Sequence, residues 1–428
     1  MCKTFYYKSY DFDAATGTLR LCYETDTGFA FAERLTFPPP VRVTPGLERI
    51  FFLLHIACGI SYYKAFLPSA IAILSGALSR AEAAFFDDFY LKGLGEFAVK
   101  NKVNLQGKIR FPFGAAAEKP DAAPFKKRAL VPIGGGKDSC LTLEIVKELG
   151  IEATAISVGS ARPIEECIKV AGLTSRTITR VLDPQLMELN ATGKVYNGHV
   201  PITALLAFVL WAAAALYDYK WVVMSCEQSA NAGNTRQGDL AINHQWGKSF
   251  EFEQAFHQLT QAVTPDFAYF SLLRPLTEAH IARLFSQKCT RYFPAFISCN
   301  KAFKLDKSKR LSRWCGACDK CRFVFLILAP FMDKDTLIQI LGNNPLNDAA
   351  QIGGYAELLG LSGHKPFECV GEIDECRWAF HQLKSHPQWR GDAVVAALNP
   401  PSASAPFQLS AEHLIPQEFS HALEIFKQ

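Results

Sequence analysis

A chain of 428 residues, 49% hydrophobic and 20% charged, has enough apolar material for two or three packed domains, which excludes a disordered or low-complexity protein. Its formal net charge of +4 is small for that length, so bulk electrostatics gives no reason to expect a nucleic-acid partner. Thirteen cysteines, an odd number, follow a start with no apolar signal core, which argues against an exported disulfide scaffold and for a cytoplasmic protein whose thiols are reduced or on metal.

Three β-prone runs open the chain, Phe5 to Tyr10, Thr18 to Tyr23 and Phe29 to Ala32. The turn signals Ala15-Thr16-Gly17 and Asp26-Thr27-Gly28 between them predict a small antiparallel meander, ended by Pro38-Pro39-Pro40. Leu47 to Phe66 carries a helical apolar pattern that stops near Pro68. Phe111 to Asp121 has the composition of a linker. Residues 1–127 are therefore expected to form an N-terminal α+β domain.

The most informative stretch follows, Val131-Pro132-Ile133-Gly134-Gly135-Gly136-Lys137-Asp138-Ser139. An apolar run, three glycines, a cation and a hydroxyl, then apolar residues at helical spacing read as strand, phosphate loop and helix. Glycines let backbone N–H groups turn inward, and the helix aims its free N–H groups and its dipole at an anion. Asp138 between lysine and serine excludes a Walker A loop. The block instead resembles the PP-loop of the ATP pyrophosphatases, with Gly134 where serine is usual. That resemblance implies ATP cleaved between its α and β phosphates. Lys137 and Asp138 are expected to act as catalytic groups on a loop built for phosphates rather than in a core.

From Ala129 strand and helix signals alternate, predicting an α/β doubly wound parallel sheet of the PP-loop type over residues 128–298, with its ligand at the carboxyl ends of the strands. Pro201 to Tyr217 has no charged residue and sits at the short edge of the roughly 17–25 residues a membrane span needs, but its alanines and its place between sheet elements predict a buried helix. Polar clusters flank it. Tyr196-Asn197-Gly198-His199 precedes it, and Glu227 to Asn234 follows the strand after it. Carboxylates and amides there can hold Mg²⁺ (or Mn²⁺) or a ribose, or can simply cap helices. The expected ATP contacts are Gly134, Gly135, Gly136, Lys137, Asp138, Ser139, Ser157, Gly198, Glu227 and Asn231.

Asn243 to Glu253 gathers donors, acceptors, an aromatic ring and an imidazole, as a polar-substrate loop would, although exposed loops are often merely polar. Its candidate binders are Asn243, His244, Gln245, Trp246, Lys248, Ser249 and Glu251, joined by Lys365, Glu368 and Glu372 further on. Cys315, Cys318 and Cys321 in two successive Cys-x-x-Cys steps, with Cys299 upstream, form a four-sulfur set suited to structural Zn²⁺; reduced core cysteines are the alternative. A similar cysteine pattern follows the PP-loop domain of 7-cyano-7-deazaguanine synthases. Residues 299–428 are expected to be this segment plus a mostly helical region.

Taken in order, the phosphate block, Glu227 to Asn234, Asn243 to Glu253, Trp314 to Cys321 and Lys365 to Glu372 resemble the family of ATP-dependent epimerases that act on UDP-N-acetylmuramoyl-L-alanyl-L-glutamate in peptidoglycan synthesis. The likeness covers most of the chain. It implies inversion of the terminal L-glutamate through an acyl-adenylate, release of AMP and pyrophosphate, and a UDP-muramoyl dipeptide partner with neither membrane nor nucleic acid. Inversion needs a proton-transferring group on each face of the α-carbon, for which His244 and Cys369 are the first candidates and His199 and Cys226 the second. The phosphate loop itself leaves open a synthetase or thiolase acting on tRNA or a 7-deazaguanine-type base, and a nucleotide-binding regulator without turnover.

Overall fold

The structure, a computed structural model, describes residues 2–115, 124–304, 306–363 and 366–428. Lys365 and residues 116–121 of the expected linker lie outside the described residues.

The strand-like runs at the start form as their alternation demands. In β1 (Thr4–Asp13) Phe5 and Tyr7 point into the core while Lys8 and Ser9 face solvent, and β2 (Thr18–Thr25) buries Leu19, Leu21 and Tyr23 at every second position. β3 (Ala30–Thr36) pairs antiparallel with β2, as β2 does with β1, giving the expected meander. Three short strands had no signal strong enough to be read: β4 (Ala70–Ile73), β7 (Ser175–Val181) and β11 (Ala268–Ser271). With β5 (Ala129–Pro132), β6 (Ala153–Val158) and β8 (Trp221–Met224) they complete a nine-stranded sheet among the described residues, in the order β11-β8-β5-β6-β7-β3-β2-β1-β4. The fold is mixed α/β. β4 runs parallel to β1 and β5 to β8, while β3 joins β7 antiparallel, so the meander expected as a separate sheet shares one with the later strands. A separate hairpin, β9 (Thr235–Gln237) and β10 (Leu240–Ile242), was also unread.

The chain divides into two compact units, each assembled from discontinuous segments. The first comprises residues 1–130, 176–222 and 236–269. Its helix Leu47–Cys58 is buried on nearly every face, as is helix Ile202–Tyr217, and a helix apolar all round belongs inside a domain. No helix among the described residues is long and apolar enough to cross a membrane. Buried tyrosines pack around these helices, and their hydroxyls are satisfied: Tyr7 and Tyr90 share a hydrogen bond of 2.5 Å, and Tyr23 donates to the His55 carbonyl at 3.0 Å. The second unit comprises residues 131–175, 223–235 and 270–428. Helices Lys137–Glu148, Glu278–Lys288 and Asp319–Leu328 form its centre, and beyond them the chain is mostly helical, as expected.

The two-residue period of β3 turns one charge inward. Glu33 is fully buried and receives the Arg180 Nε of β7 at 2.6 Å, while a second guanidinium nitrogen donates to Ser61 Oγ at 3.2 Å. Arg180→Met would leave that carboxylate without its counterion, and should cost about 3–5 kcal/mol in urea unfolding. Replacing Glu33 by methionine as well should restore most of the loss; a double variant as weak as the single one would show that packing, not charge, holds this seam.

Candidate functional site

In the second unit β5 leads into a turn that only glycine can make. The Ile133 N–H donates to the Ile156 carbonyl of β6 at 2.8 Å, fixing where the strand ends. Gly135 then adopts φ +78, and a Cβ there would lie 3.0 Å from the Pro163–Ile164 backbone. Its carbonyl accepts the Ile297 N–H at 2.8 Å. A Cβ on Gly136 would meet Ser298 Oγ at 2.8 Å, whereas Gly134 faces open space. Gly136 leads into helix Lys137–Glu148 with no side-chain cap, so the helix N-terminus offers its N–H groups to an anion. Ser139 Oγ donates back to the Gly136 carbonyl at 3.1 Å.

Lys137 is 1% exposed, and its ammonium donates to both Asp138 and Glu278. Burial alone would lower its pKa, but the two carboxylates raise it, so the charge is retained. Glu278 is buried beside Asp138 and Glu227, and burial plus those like charges drives its carboxyl upward against the pull of Lys137. One residue on, the Ala279 N–H donates to Glu375 at 2.9 Å. Burial, then the charge of Glu278, pushes Glu375 up to about 8. Glu227 is 3% exposed, with its carbonyl held by Arg274 at 2.7 Å. A cavity of about 720 Å³ is lined by Gln228, Ser229, Asn231, Glu372, Glu375 and Arg377, among others. Ser229 Oγ and Gln228 Oε1 are buried with no hydrogen-bond partner among the described residues. Ser157 is buried at the end of β6, and Asn231 is exposed. Glu278 and Glu375 escaped the sequence reading because each sits in a helical segment with nothing local to mark it, Glu375 among other acidic residues; Glu278 is 141 residues from its lysine.

The four cysteines converge. Cys299 Sγ lies 4.0 Å from Cys318, Cys321 lies 3.7 Å from Cys315 and 3.4 Å from Cys318, and all four sulfurs fall within 4.8 Å of one another. Tetrahedral zinc with Zn–S bonds of about 2.3 Å spaces its sulfurs by about 3.8 Å. The set can therefore hold a metal. Gly316, at φ +69 with Asn343 pressed where a Cβ would be, makes the turn between the first two ligands of the repeat. Nearby, Cys369 is half-buried with its carbonyl accepting from Lys320, and Glu368 accepts from Asn300.

The first unit holds a different cluster. His199 Nδ1 lies 3.1 Å from Glu96 Oε2, His244 Nδ1 contacts the same oxygen, and Lys100 pairs with Oε1. The rings are 4.8 Å apart. Burial would raise the Glu96 pKa, but the His244 and Lys100 bonds overcome it and hold the carboxyl near about 2. Burial, then the neighbouring His244 charge, lowers His199 to about 4. Glu96 was missed; a glutamate in a short helix carries no pattern. Gly198 belongs to this unit, at φ +146 against Phe97.

Much of the polar stretch from Asn243 is occupied with its own conformation. Asn243 accepts the Gln245 N–H at 2.8 Å, and Lys248 reaches Gln245 Oε1 at 3.4 Å. Ser249 caps helix Phe250–Val263 by accepting the Phe252 N–H at 3.2 Å. Glu251 takes the Trp246 indole N–H at 3.2 Å and Lys92 at 2.5 Å. Trp246 itself is buried against Phe252.

The MurL N-terminal domain family matches residues 1–272, and the MurL C-terminal domain family matches residues 295–412. A protein of Xanthomonas oryzae pv. oryzae named UDP-N-acetyl-alpha-D-muramoyl-L-alanyl-L-glutamate epimerase is 44% identical over 390 residues, 90% of this chain and 86% of its own. Proteins with the same name from a Micromonospora strain and from Salinispora tropica are each 39% identical, spanning 98% and 92% of this chain and 97% and 88% of theirs. Matched in both of its domains and nearly end to end by such relatives, the chain belongs to the MurL family.

Proposed function

We propose that this protein inverts the terminal L-glutamate of UDP-N-acetylmuramoyl-L-alanyl-L-glutamate at the expense of ATP, on a PP-loop type fold. The observation that carries the substrate is the end-to-end likeness to proteins of that name. The ATP half rests on the glycine turn at Gly135–Gly136 and the uncapped helix behind it.

The reason to couple ATP is electrostatic. Removing the α-proton beside a free carboxylate would put a second negative charge next to the first. If a carboxylate oxygen attacks the α-phosphorus and pyrophosphate leaves, the resulting acyl-adenylate can carry the new charge as an enolate. A proton delivered to the opposite face and hydrolysis of the adenylate then give the D-residue and AMP. The loop N–H groups would receive the pyrophosphate oxygens, and Asp138 and Glu227 are the carboxylates suited to hold Mg²⁺, which would neutralise phosphate charge. Lys137, clamped by two carboxylates, keeps a fixed positive charge at the loop. His244 and Cys369 are proposed for proton transfer, and Glu375 joins them because a carboxyl titrating at about 8 can both take and return a proton near neutrality. The four cysteines are proposed to hold one structural zinc. A synthetase or thiolase acting on a base has no comparable support.

Asp138→Asn, which keeps the side chain's shape, should cut pyrophosphate release by about 100-fold or more while the far-UV spectrum is unchanged. Wild-type turnover in that variant would remove the pyrophosphatase assignment, and ADP as product would point to phosphoryl transfer instead. In D₂O the product glutamate should gain deuterium at Cα. His244→Ala, Cys369→Ala or Glu375→Gln should suppress that exchange more than pyrophosphate release wherever the residue moves the proton; inversion with the original hydrogen retained would rule out the mechanism. Metal analysis of protein purified without chelator should find about one zinc per chain, lost in Cys318→Ser. Four thiols freely titratable in the native state would return the cysteines to ordinary core packing.

A further inference from the structure

A buried ammonium in the first unit lacks the partner its situation demands. Lys64, on helix Ile60–Phe66, is 4% exposed. Its three donors have one polar contact among the described residues, Asn197 Oδ1 at 3.5 Å, and that oxygen already accepts the Gly198 N–H at 2.8 Å. A separation of 3.5 Å is the outer limit of a hydrogen bond. The face of Phe97, 5.8 Å away, adds only a weak attraction. Other buried lysines are better served: Lys137 has two carboxylates and Lys320 a carbonyl. Glu96 offers no relief, because Lys100 and the two histidines occupy both of its oxygens.

An unpaired buried cation is costly, so such a group marks a place where charge arrives from outside. The surroundings are built to keep it open. Tyr196 N–H donates to the Ala65 carbonyl at 3.0 Å and Asn101 Nδ2 to the Asn197 carbonyl at 3.0 Å, which pins the 196–199 loop to the helices that carry Lys64 and Glu96. A side chain at Gly198 would press on Phe97 at 3.3 Å. Tyr196, Asn197 and Gly198 face solvent, so the ammonium lies beneath an accessible rim. His199 feels the Lys64 charge, which places the two side chains in one electrostatic neighbourhood.

We infer that Lys64, with His199 and the Asn197–Gly198 loop, binds an anionic group of the substrate, a carboxylate or phosphate oxygen cluster. The inference rests on the epimerase reading for the identity of that substrate. Desolvation without a counterion, which lowers Lys64 to about 8, is the state an arriving anion would reverse.

The test is calorimetric binding without ATP, using UDP-N-acetylmuramoyl-L-alanyl-L-glutamate and the same nucleotide ending at alanine, with wild-type protein, Lys64→Met and Lys64→Gln. Losing a charge-assisted bond should weaken binding of the full substrate by about 10- to 100-fold in both variants. If the anion is a glutamate carboxylate, the alanine-terminated nucleotide should bind wild type and variants alike; if it is the diphosphate, both nucleotides should weaken together. The melting temperature separates this from a structural role, since removing an uncompensated buried charge should leave it equal or higher. Variants that bind as wild type does, or that lose affinity only together with several degrees of melting temperature, overturn the site. Wild-type protein that binds neither nucleotide overturns the epimerase reading itself.

Discussion

The second unit depends on one buried cation. Lys137 stands at the first position of the helix behind the glycine turn, yet it is sealed from solvent and ties Asp138, on its own helix, to Glu278 at the head of another. That pairing does two things at once. It fixes the helix that presents free N–H groups to an anion, and it holds Glu278 where its charge raises Glu375. A buried pair of this kind adds little net stability, but removing one member leaves a stranded charge. Geometry at the glycine turn is thus enforced by electrostatics.

The same logic separates the polar clusters of this protein by what they lack. Glu33 with Arg180, and Glu96 with Lys100, are each balanced within the fold. The four-cysteine set differs: its four sulfurs, at tetrahedral spacing, would all be thiolates only with a cation among them. Lys64 is a cation wanting an anion, and the buried oxygens of Ser229 and Gln228 want donors.

Local signals in the sequence were readable and long-range ones were not. The meander, the glycine turn, the fully apolar helix after Pro201 and the Cys-x-x-Cys steps each declare themselves within a dozen residues, because alternation, φ freedom and ligand spacing are local constraints. β7 was invisible: its burial pattern exposes most of its residues, and what makes it a strand is the Arg34↔Val181 pairing far upstream. Glu96, Glu278, Glu375 and Lys64 were unread for a related reason. Each is an ordinary helical residue whose meaning comes from a neighbour brought in by folding, such as His244, 148 residues from Glu96. Conversely, Ser249, Glu251 and Trp246, expected as substrate ligands, also serve capping and packing, which draw on the same residue types as binding.

The histidine cluster also constrains how a proton could be moved. A two-sided inversion holds the α-carbon between an acid and a base, each within about 3 Å of it, so the two reacting atoms stand roughly 6 Å apart on opposite sides. His199 and His244 have ring centroids 4.8 Å apart and turn their Nδ1 atoms to the same carboxylate oxygen. They face one partner together, so their Nδ1 atoms are not the two opposed groups. Glu96 accepting from His244 Nδ1 would orient that ring and favour the tautomer that leaves its other nitrogen free to take a proton, the role a carboxylate plays behind many catalytic histidines. His199, held neutral by burial and by its neighbour, is poorly suited to exchange a proton near neutrality. Of the two, His244 is the one whose contact with Glu96 suits the proton transfer proposed for it.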